Sequence, residues 1–225
     1  MLMNILSIYV HHEPSSFTAA LKNTATSLLL SQGHNLVESD LYGSGFSVKA
    51  EKYDFNVMSG THFNYMLEQR FAAAKDMAFA ADITAEIEKL MAAELIIIHT
   101  PIWWLSVPAA LKGWFDRVLA MGVAWDGGRI YENGLLRGKK VMLCAVAGGP
   151  KEYYQQEGKH RATIEQLLHP IQWGTLAFCG MDVLEPFVVF NALGLDSNDR
   201  AQVMREYQFK VEHIIDSPTY LHKYD

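Results

Sequence analysis

The sequence has few of the features that mark secreted, membrane or nucleic-acid-binding chains. Its two cysteines, Cys144 and Cys179, lie in apolar segments without a neighbour at zinc-ligand spacing, so we expect buried thiols and no metal site. No apolar run approaches the length of a membrane span, and no secretory signal opens the chain. The net charge of −6 argues against general binding to nucleic acid or anionic membranes. We therefore expect a soluble, cytoplasmic protein.

Residues 95–118 carry the clearest pattern in the chain. Leu95 to Ile98 form a fully apolar run, which is typical of a parallel strand covered on both faces. We expect Thr100-Pro101 to end this strand, because proline lacks the N–H that a ladder needs. Ser106 is the predicted N-cap of the next helix, with Pro108 in its first turn. The buried face of that helix is predicted to hold Leu111, Trp114, Phe115, Val118 and Leu119.

The loop between this strand and this helix is unusually apolar. It contains Ile102, Trp103, Trp104 and Leu105, whereas loops normally run through water. An apolar loop at the carboxyl end of a strand favours a site for a flat, aromatic ligand. The alternative is that the two indoles simply cover the end of the sheet.

The rest of the chain alternates strands with helices, so we expect one α/β domain over residues 1–225. The predicted strands are 3–10, 35–40, 95–98, 139–146 and 182–189. The predicted helices are 17–31, 63–75, 82–92, one from Pro108, 163–178 with a kink or restart at Pro170, and 199–215. Right-handed crossovers give a five-stranded parallel sheet of order 2-1-3-4-5, with helices on both faces. The long excursion 41–81 is interpreted as a lid or a subunit contact.

In this strand order the loops after strands one, three and four meet at one edge of the sheet. The first, 11–18, leads into a helix N-terminus, whose free N–H groups and positive dipole end favour a phosphate. Alternatively, Ser15 or Ser16 only caps that helix. The third, 147–154, contains glycines that let a ligand approach the backbone, or that form an ordinary tight turn. No glycine-rich dinucleotide fingerprint follows strand one, so a phosphate-tailed flavin fits the three loops best.

Five blocks of the sequence match one known family. They are residues 11–18, 37–42, 101–118, 170–174 and 178–186, and the block that begins Pro-Ile-Trp-Trp-Leu-Ser-Val-Pro at residue 101 is the most specific. On these blocks the chain resembles the NAD(P)H:quinone oxidoreductases, the flavoproteins also called DT-diaphorases. The resemblance implies a flavodoxin-like fold, FAD rather than FMN, NAD(P)H as electron donor, and a homodimer with the flavin at the subunit interface.

The resemblance also implies roles for individual positions. The implied cofactor contacts are His11, Ser16, Phe17, Thr18, Asn64, Pro101, Ile102, Trp103, Trp104, Leu105, Asp116, Val146, Ala147, Gly148, Gly149, Tyr154 and Arg200. Among them, 11–18 would hold the pyrophosphate, 102–105 the isoalloxazine and 146–149 its polar edge. Asp116 and Arg200 match positions near the adenosine half, and Asn64 matches one that reaches the cofactor from the partner subunit.

Tyr154 and His160 match the pair that serves hydride transfer in the family. A phenol and an imidazole can both donate to the flavin edge where negative charge develops during reduction. The implied acceptor pocket consists of Trp104, Trp125, Gly127, Ile130, His160 and Phe178. Trp125 and Phe178, like Asn64, match positions that complete the site of the neighbouring subunit.

Three departures from the family pattern change the expected site. Trp125 and Gly127 stand where many members have two tyrosines, which reshapes the acceptor pocket. Val146-Ala147 replaces two threonines, so flavin contacts there fall to the backbone. The sequence ends at Asp225, before a C-terminal extension that helps form the donor site in some members, so the preferred reductant stays open.

Our first interpretation is an NAD(P)H dehydrogenase (quinone) that transfers two electrons through FAD by a ping-pong mechanism. A flavodoxin-type one-electron carrier is the second; it would bind FMN and would lack Tyr154 and His160. The third is a redox-sensing ancillary subunit of a membrane transporter, since a docking surface needs no motif.

Overall fold

The computed structural model describes residues 2–220 as a parallel sheet covered by helices on both faces. Its strands are β1 (Asn4–Tyr9), β2 (Asn35–Asp40), β3 (Leu95–Pro101), β4 (Lys140–Val146), β5 (Asp182–Val183) and β6 (Phe187–Val189). Its helices are α1 (Phe17–Ser31), α2 (Tyr65–Ala74), α3 (Ala81–Ala92), α4 (Ala109–Val118), α5 (Ile164–Ile171) and α6 (Ser197–Glu212). The sheet order is β2-β1-β3-β4-β5, with β6 also pairing β4, so the predicted flavodoxin-like order is confirmed.

The central strand β3 separates two hydrophobic cores. Ile96 and Ile98 pack into one core with α3, α4 and α5, whereas Leu95 and Ile97 pack into the other with α1 and α6. Successive side chains of a strand point to opposite faces, so an uninterrupted apolar run is what a doubly covered strand requires. All five residues predicted for the buried face of α4 are buried.

Strand β3 does not end where the sequence predicted. It continues through Thr100 and Pro101, and Pro101 lies opposite Val146 of β4. The N–H of Ile102 donates to Val146 (2.8 Å) and that of Val10 to His99 (3.0 Å), so backbone groups alternate between the two neighbouring strands. The nitrogen of Pro101 therefore faces β1, whose pairing with β3 has already ended at Tyr9. A proline at this position breaks no ladder bond, so the expectation that it ends the strand was wrong.

Two further boundaries differ from the sequence patterns, and a third element changes helix type at the predicted place. Ser106 is not an N-cap, because α4 begins at Ala109 after Pro108 and its N-cap position carries no side-chain hydrogen bond. The predicted strand 182–189 is divided into β5 and β6, since Pro186 stands between them and has no N–H to donate. The helix predicted over 163–178 continues past Pro170 as a π-helical turn, Gln172–Ala177.

The excursion 41–81 is ordered around α2 and anchored by a buried arginine. Arg117 of α4 donates from Nε and Nη2 to Asp54 (3.1 and 2.9 Å) and from Nη1 to Asp82 (2.7 Å) and the Ser47 carbonyl (3.0 Å). Tyr65 donates to the same Asp54 carboxylate at 2.6 Å. These contacts fix the excursion against α3 and α4. Across residues 2–220, no helix has the length and apolarity that crossing a membrane requires.

Candidate active site

The loop from β1 into α1 is built as an anion site. Ser16 caps the helix, because its Oγ accepts the N–H of Ala19 at 3.1 Å. Within the described chain, the N–H groups of Phe17 and Thr18 meet no acceptor and stay available to a ligand. Ser15 is not available in the same way, since its N–H and Oγ donate to the Glu13 carboxylate (2.8 and 2.6 Å). These two bonds also lower the pKa of Glu13.

Arg200 of α6 reaches the same helix N-terminus. Its guanidinium lies 5.5 Å from the centre of the Phe17 ring. Nε donates to the Leu195 carbonyl and Nη2 to the Ala192 carbonyl, both at 3.1 Å. The side chain is thereby fixed with its charge beside α1. The structure therefore brings together the predicted phosphate loop and Arg200, which come from opposite ends of the chain.

The apolar loop after β3 is a tight turn in an unusual conformation. Trp103 and Ser106 exchange two main-chain hydrogen bonds of 3.0 Å. Between them Trp104 and Leu105 have φ angles of +52° and +58°, as in a type I′ turn that normally requires glycine or asparagine. A left-handed residue other than glycine costs on the order of 1–3 kcal/mol. The turn nevertheless leaves the Trp104 side chain 99% exposed.

A cluster of rings supports this turn on the β1 side. His11 and His12 stack with their centroids 4.8 Å apart, and Trp103 lies 6.1 and 6.0 Å from them. Tyr42, which follows β2, contacts His12 edge-on at 5.9 Å. Desolvation, with the neighbouring His12 charge, lowers the pKa of His11. Trp103 thus belongs to the wall of the site, whereas Trp104 points away from the protein.

Most main-chain polar groups of the loop after β4 form hydrogen bonds within the fold. The Val146 carbonyl accepts the N–H of Ile102 (2.8 Å), and Ala147 donates to Val189 (2.7 Å) and accepts from Ala192 (3.1 Å). In the described part of the chain, the N–H of Gly148 has no partner. A Cβ added to Gly148 would meet open space. Of the four positions predicted at the polar edge of the flavin, Gly148 is therefore the one with a free donor.

Tyr154 and His160, predicted as the hydride-transfer pair, are adjacent. Their ring centroids are 4.7 Å apart, and the Phe190 ring lies 5.3 Å from that of Tyr154. Burial raises the pKa of Tyr154, while a hydrogen bond from the Gly149 main chain opposes the shift. A phenol that accepts the N–H of Gly149 keeps its own O–H for donation. The pair therefore offers a neutral O–H donor beside an imidazole.

A second group of predicted residues surrounds a separate cavity of about 500 Å³. Trp125 and Phe178 meet edge-on there, 5.6 Å apart, and Trp125 Nε1 donates to the Leu119 carbonyl at 3.2 Å. Asp116 lies at this cavity and pairs with Lys112 at 2.5 Å. Gly127 and Ile130 belong to the following loop, where Gly127 has a φ of +29°. The cavity is aromatic, with an ion pair on one wall.

Some of the predicted site residues lie on opposite faces of the sheet. Arg200 and α1 belong to the face covered by α1 and α6, and the cavity belongs to the face covered by α2 to α5. Asn64 is on the cavity side, where its Oδ1 caps α2 by accepting the N–H of Leu67 at 3.3 Å. The structure therefore does not place Asp116 near Arg200 within one chain, although both match adenosine positions.

Several residues that the sequence did not single out take part in these surroundings. They are His12, Tyr42, Tyr153, Lys159 and Lys112. The i, i+4 spacing of Lys112 and Asp116 was a signal for their ion pair. The others depend on loops meeting in space, for which a single sequence carries no local signal.

The comparisons agree with this architecture. Residues 3–211 match a family described as having a flavodoxin-like fold. The ribosyldihydronicotinamide dehydrogenase (quinone) of Pongo abelii is 42% identical over 83% of this chain and 80% of its own length. The NAD(P)H dehydrogenase (quinone) 1 of Rattus norvegicus is 36% identical over 96% of this chain and 79% of its own.

A solved structure gives the same result. A candidate quinone reductase from Klebsiella pneumoniae superposes with a TM-score of 0.92 at 34% identity, covering 96% of this chain and 86% of that one. The fold and the site thus define a protein with a flavodoxin-like fold. The chain belongs to the NAD(P)H:quinone oxidoreductase family within that class, as the sequence blocks indicated.

Proposed function

We propose that this protein is an NAD(P)H dehydrogenase (quinone) that binds FAD and transfers two electrons, as hydride, from a reduced nicotinamide to a quinone-like acceptor. The observation that carries the proposal is the Tyr154–His160 pair, 4.7 Å between ring centroids, beside a glycine loop with a free N–H. Two relatives named as quinone dehydrogenases are 42% and 36% identical to the chain over the aligned residues. Donor and acceptor would use one pocket in turn, in a ping-pong mechanism.

The residues present fit a flavin dinucleotide. The free N–H groups of Phe17 and Thr18 suit the pyrophosphate, and the Arg200 cation beside Phe17 adds a positive charge to the same place. The N–H of Gly148 has no partner and the residue borders open space, so it suits the polar edge of the isoalloxazine. The exposed face of Trp104 suits its ring. When bound, FAD supplies the centre that accepts hydride from one substrate and gives it to the other.

Tyr154 and His160 would act on the charge that this transfer creates. The O–H of Tyr154 is protonated at neutral pH, as in any ordinary phenol, and burial raises its pKa further. It can therefore donate a hydrogen bond to an anionic oxygen without losing its proton. The imidazole of His160 lies beside this phenol and can also donate a hydrogen bond. Donors placed in advance at a developing charge stabilise the transition state more than the ground state.

The division of the site between two faces supports a dimer. Trp125, Phe178 and Asp116 lie at the cavity on one face of the sheet, whereas Arg200 lies beside Phe17 on the other face. An isologous dimer would let each chain complete the other's site. Phe63, Met66 and Leu67, beside Asn64, are exposed apolar side chains that such an interface would bury.

The function is tested by identifying the released cofactor and by screening donors and acceptors. We expect a yellow protein that releases FAD, is bleached by a dihydronicotinamide and is reoxidised by quinones. Release of FMN alone, or a colourless protein that cannot be reconstituted, would reject the cofactor assignment. A flavin that no dihydronicotinamide reduces would reject the activity.

A further inference from the structure

A fixed lysine lies beside the Tyr154–His160 pair. Nζ of Lys159 is 2.6 Å from the hydroxyl of Tyr153 and 4.2 Å from the centre of the same ring. A hydrogen bond and a cation–π contact together restrain a side chain that otherwise has large rotamer freedom. The ammonium group therefore has a defined position, although the residue is exposed to solvent.

That position is tied to His160. The Tyr153 ring lies edge-on to the imidazole, 5.7 Å between centroids, and the N–H of His160 donates to the Tyr153 carbonyl at 3.0 Å. Gly158 allows the loop to close, since a Cβ there would lie 2.3 Å from the Glu152 carbonyl oxygen. The closed loop holds the Lys159 charge one ring away from the proposed hydride-transfer pair.

The Lys159 charge is not neutralised by the protein. In the described part of the chain, Lys159 forms no ion pair, and neither do Lys151 and Arg161 in the same loop. Glu152 and Glu157 also belong to this loop but do not pair with them. The hydrogen-bond partner of Lys159 is the uncharged hydroxyl of Tyr153, so no group of opposite charge neutralises the ammonium group. In a chain of net charge −6, this is a local site for an anion.

We propose, building on the function proposed above, that Lys159 is a specificity-determining residue that contacts the phosphates of the nicotinamide donor. In the proposed function the nicotinamide ring would react beside Tyr154 and His160, so the rest of the donor would extend past the loop that carries Lys159. NADH and NADPH carry a pyrophosphate there, whereas a ribosyl dihydronicotinamide carries no phosphate. Tyr153 is the positioning residue that holds the ammonium group in place. The site therefore favours phosphate-bearing donors.

The names of the relatives do not decide which nicotinamide donor this protein prefers. The chain is 42% identical to a dehydrogenase named for ribosyldihydronicotinamide and 36% identical to one named for NAD(P)H. Both would carry out the same flavin chemistry, so the difference must come from residues that contact the donor outside its reacting ring. In the proposed arrangement, Lys159 is such a residue, because it lies one ring away from His160.

The test compares donors in a charge-removing variant. Lys159→Met keeps the length of the stem, and the control Lys52→Met removes another exposed lysine, which lies over the Tyr53 ring at 5.2 Å. Flavin reduction by NADPH, NADH and a ribosyl dihydronicotinamide is followed by stopped flow, and NADP⁺ binding to the holoprotein by calorimetry. We expect Lys159→Met to slow flavin reduction by both dinucleotides and to weaken NADP⁺ binding by roughly three- to tenfold, as for an exposed charge-assisted contact.

The ribosyl donor should be unaffected, and Lys52→Met should match the wild type with every donor. Tyr153→Phe should give a smaller loss with the same donor selectivity, because it only frees the ammonium group. An equal loss for all donors would place Lys159 in flavin chemistry and overturn the proposal. Unchanged rates, or a wild type that does not bind NADP⁺, would overturn it as well. A wild-type flavin that no donor reduces would reject the proposed function instead, while NADP⁺ binding still reports on Lys159.

Discussion

His99 shows how strongly the sheet interior changes the chemistry of one residue. Its Nε2 lies 2.7 Å from the Tyr207 hydroxyl, and within residues 2–220 its Nδ1 has no partner. Burial lowers the pKa of this imidazole to about 3. Tyr207 also bonds to Cys144, whose pKa burial raises to about 12. The network joins β3, β4 and α6 through side chains that are all neutral at physiological pH.

The first prediction concerns the pH dependence of stability. Between pH 6.5 and about 3, the unfolded chain protonates His99 and the folded chain does not. Above pH 6.5 His99 is neutral in both states and does not change the free energy of unfolding. Below pH 6.5 the unfolded chain binds a proton that the folded chain does not, so stability falls as the pH decreases. The slope approaches about 1.4 kcal/mol per pH unit. Urea unfolding of the wild type and His99→Gln between pH 7.5 and 5 measures the difference. Parallel profiles for the two proteins would show that His99 does not contribute.

The second prediction concerns catalysis at Tyr154 and His160. Tyr154→Phe or His160→Gln should slow flavin reduction and leave FAD content and dimerisation nearly intact, because both groups act on charge that develops during hydride transfer. Loss of one such donor typically costs about 10²–10³ in rate. We expect the lower end, since the free N–H of Gly148 shares the role. Stopped-flow reduction measures this step, and unchanged rates in both variants would remove the pair from the mechanism.

At the scale of elements, the turn between β3 and α4 combines strain with exposure. Its two central residues are left-handed, and the exposed one, Trp104, gains no burial within its own chain. Strain that no contact in the fold offsets is a sign of function rather than of stability. We interpret the turn as a surface held ready for the isoalloxazine ring.

The third prediction follows from that strain. Trp104→Gly should leave the unfolding free energy of the apoprotein unchanged or raise it by up to about 1 kcal/mol, because glycine tolerates a positive φ. The same change should weaken FAD binding by at least tenfold, since the exposed ring surface is lost. Denaturation of the apoprotein and FAD titration give the two values. A variant that destabilises the apoprotein and binds FAD normally would show that the indole serves the fold.

Much of the fold followed from local patterns in the sequence. The apolar run 95–98 and the helical spacing from Leu111 to Leu119 depend on burial alone, and both were confirmed. The predicted end of β3 was wrong because the nitrogen of Pro101 faces β1. The pairing of β1 with β3 ends at Tyr9, so no ladder hydrogen bond is lost at the proline. The prediction that Ser106 caps α4 was wrong because Ser106 pairs with Trp103 across the turn. Local patterns cannot report which neighbour each backbone group faces.

The candidate site was predictable only in part, because local patterns do not report which loops meet in space. Loops that follow parallel strands meet at one edge of the sheet, so the topology predicted that the loops 11–18, 100–106 and 147–154 lie together. The family resemblance supplied Tyr154 and His160, whose contact the structure contains. The contact of Lys159 with Tyr153 depends on how one loop closes at Gly158. Such a contact is tertiary and has no sequence period.

The fourth prediction belongs to the whole molecule. If each chain completes the other's site, the protein is an isologous dimer with two flavins, and flavin is retained only by the dimer. Met66→Glu should weaken association and flavin retention together, because it places a charge in the exposed apolar patch beside Asn64. Sedimentation velocity followed by flavin absorbance measures both. A fully flavinated monomer at micromolar concentration would reject this arrangement.

The most direct test of the proposed function is a single turnover without oxygen. The holoprotein is reduced with NADPH or a ribosyl dihydronicotinamide, freed of the oxidised donor by gel filtration, and mixed with a quinone. We predict complete bleaching in the first step, then full recovery of flavin absorbance with one hydroquinone formed per flavin. A flavin that stays oxidised with every donor, or a reduced flavin that quinones do not reoxidise, would contradict the account.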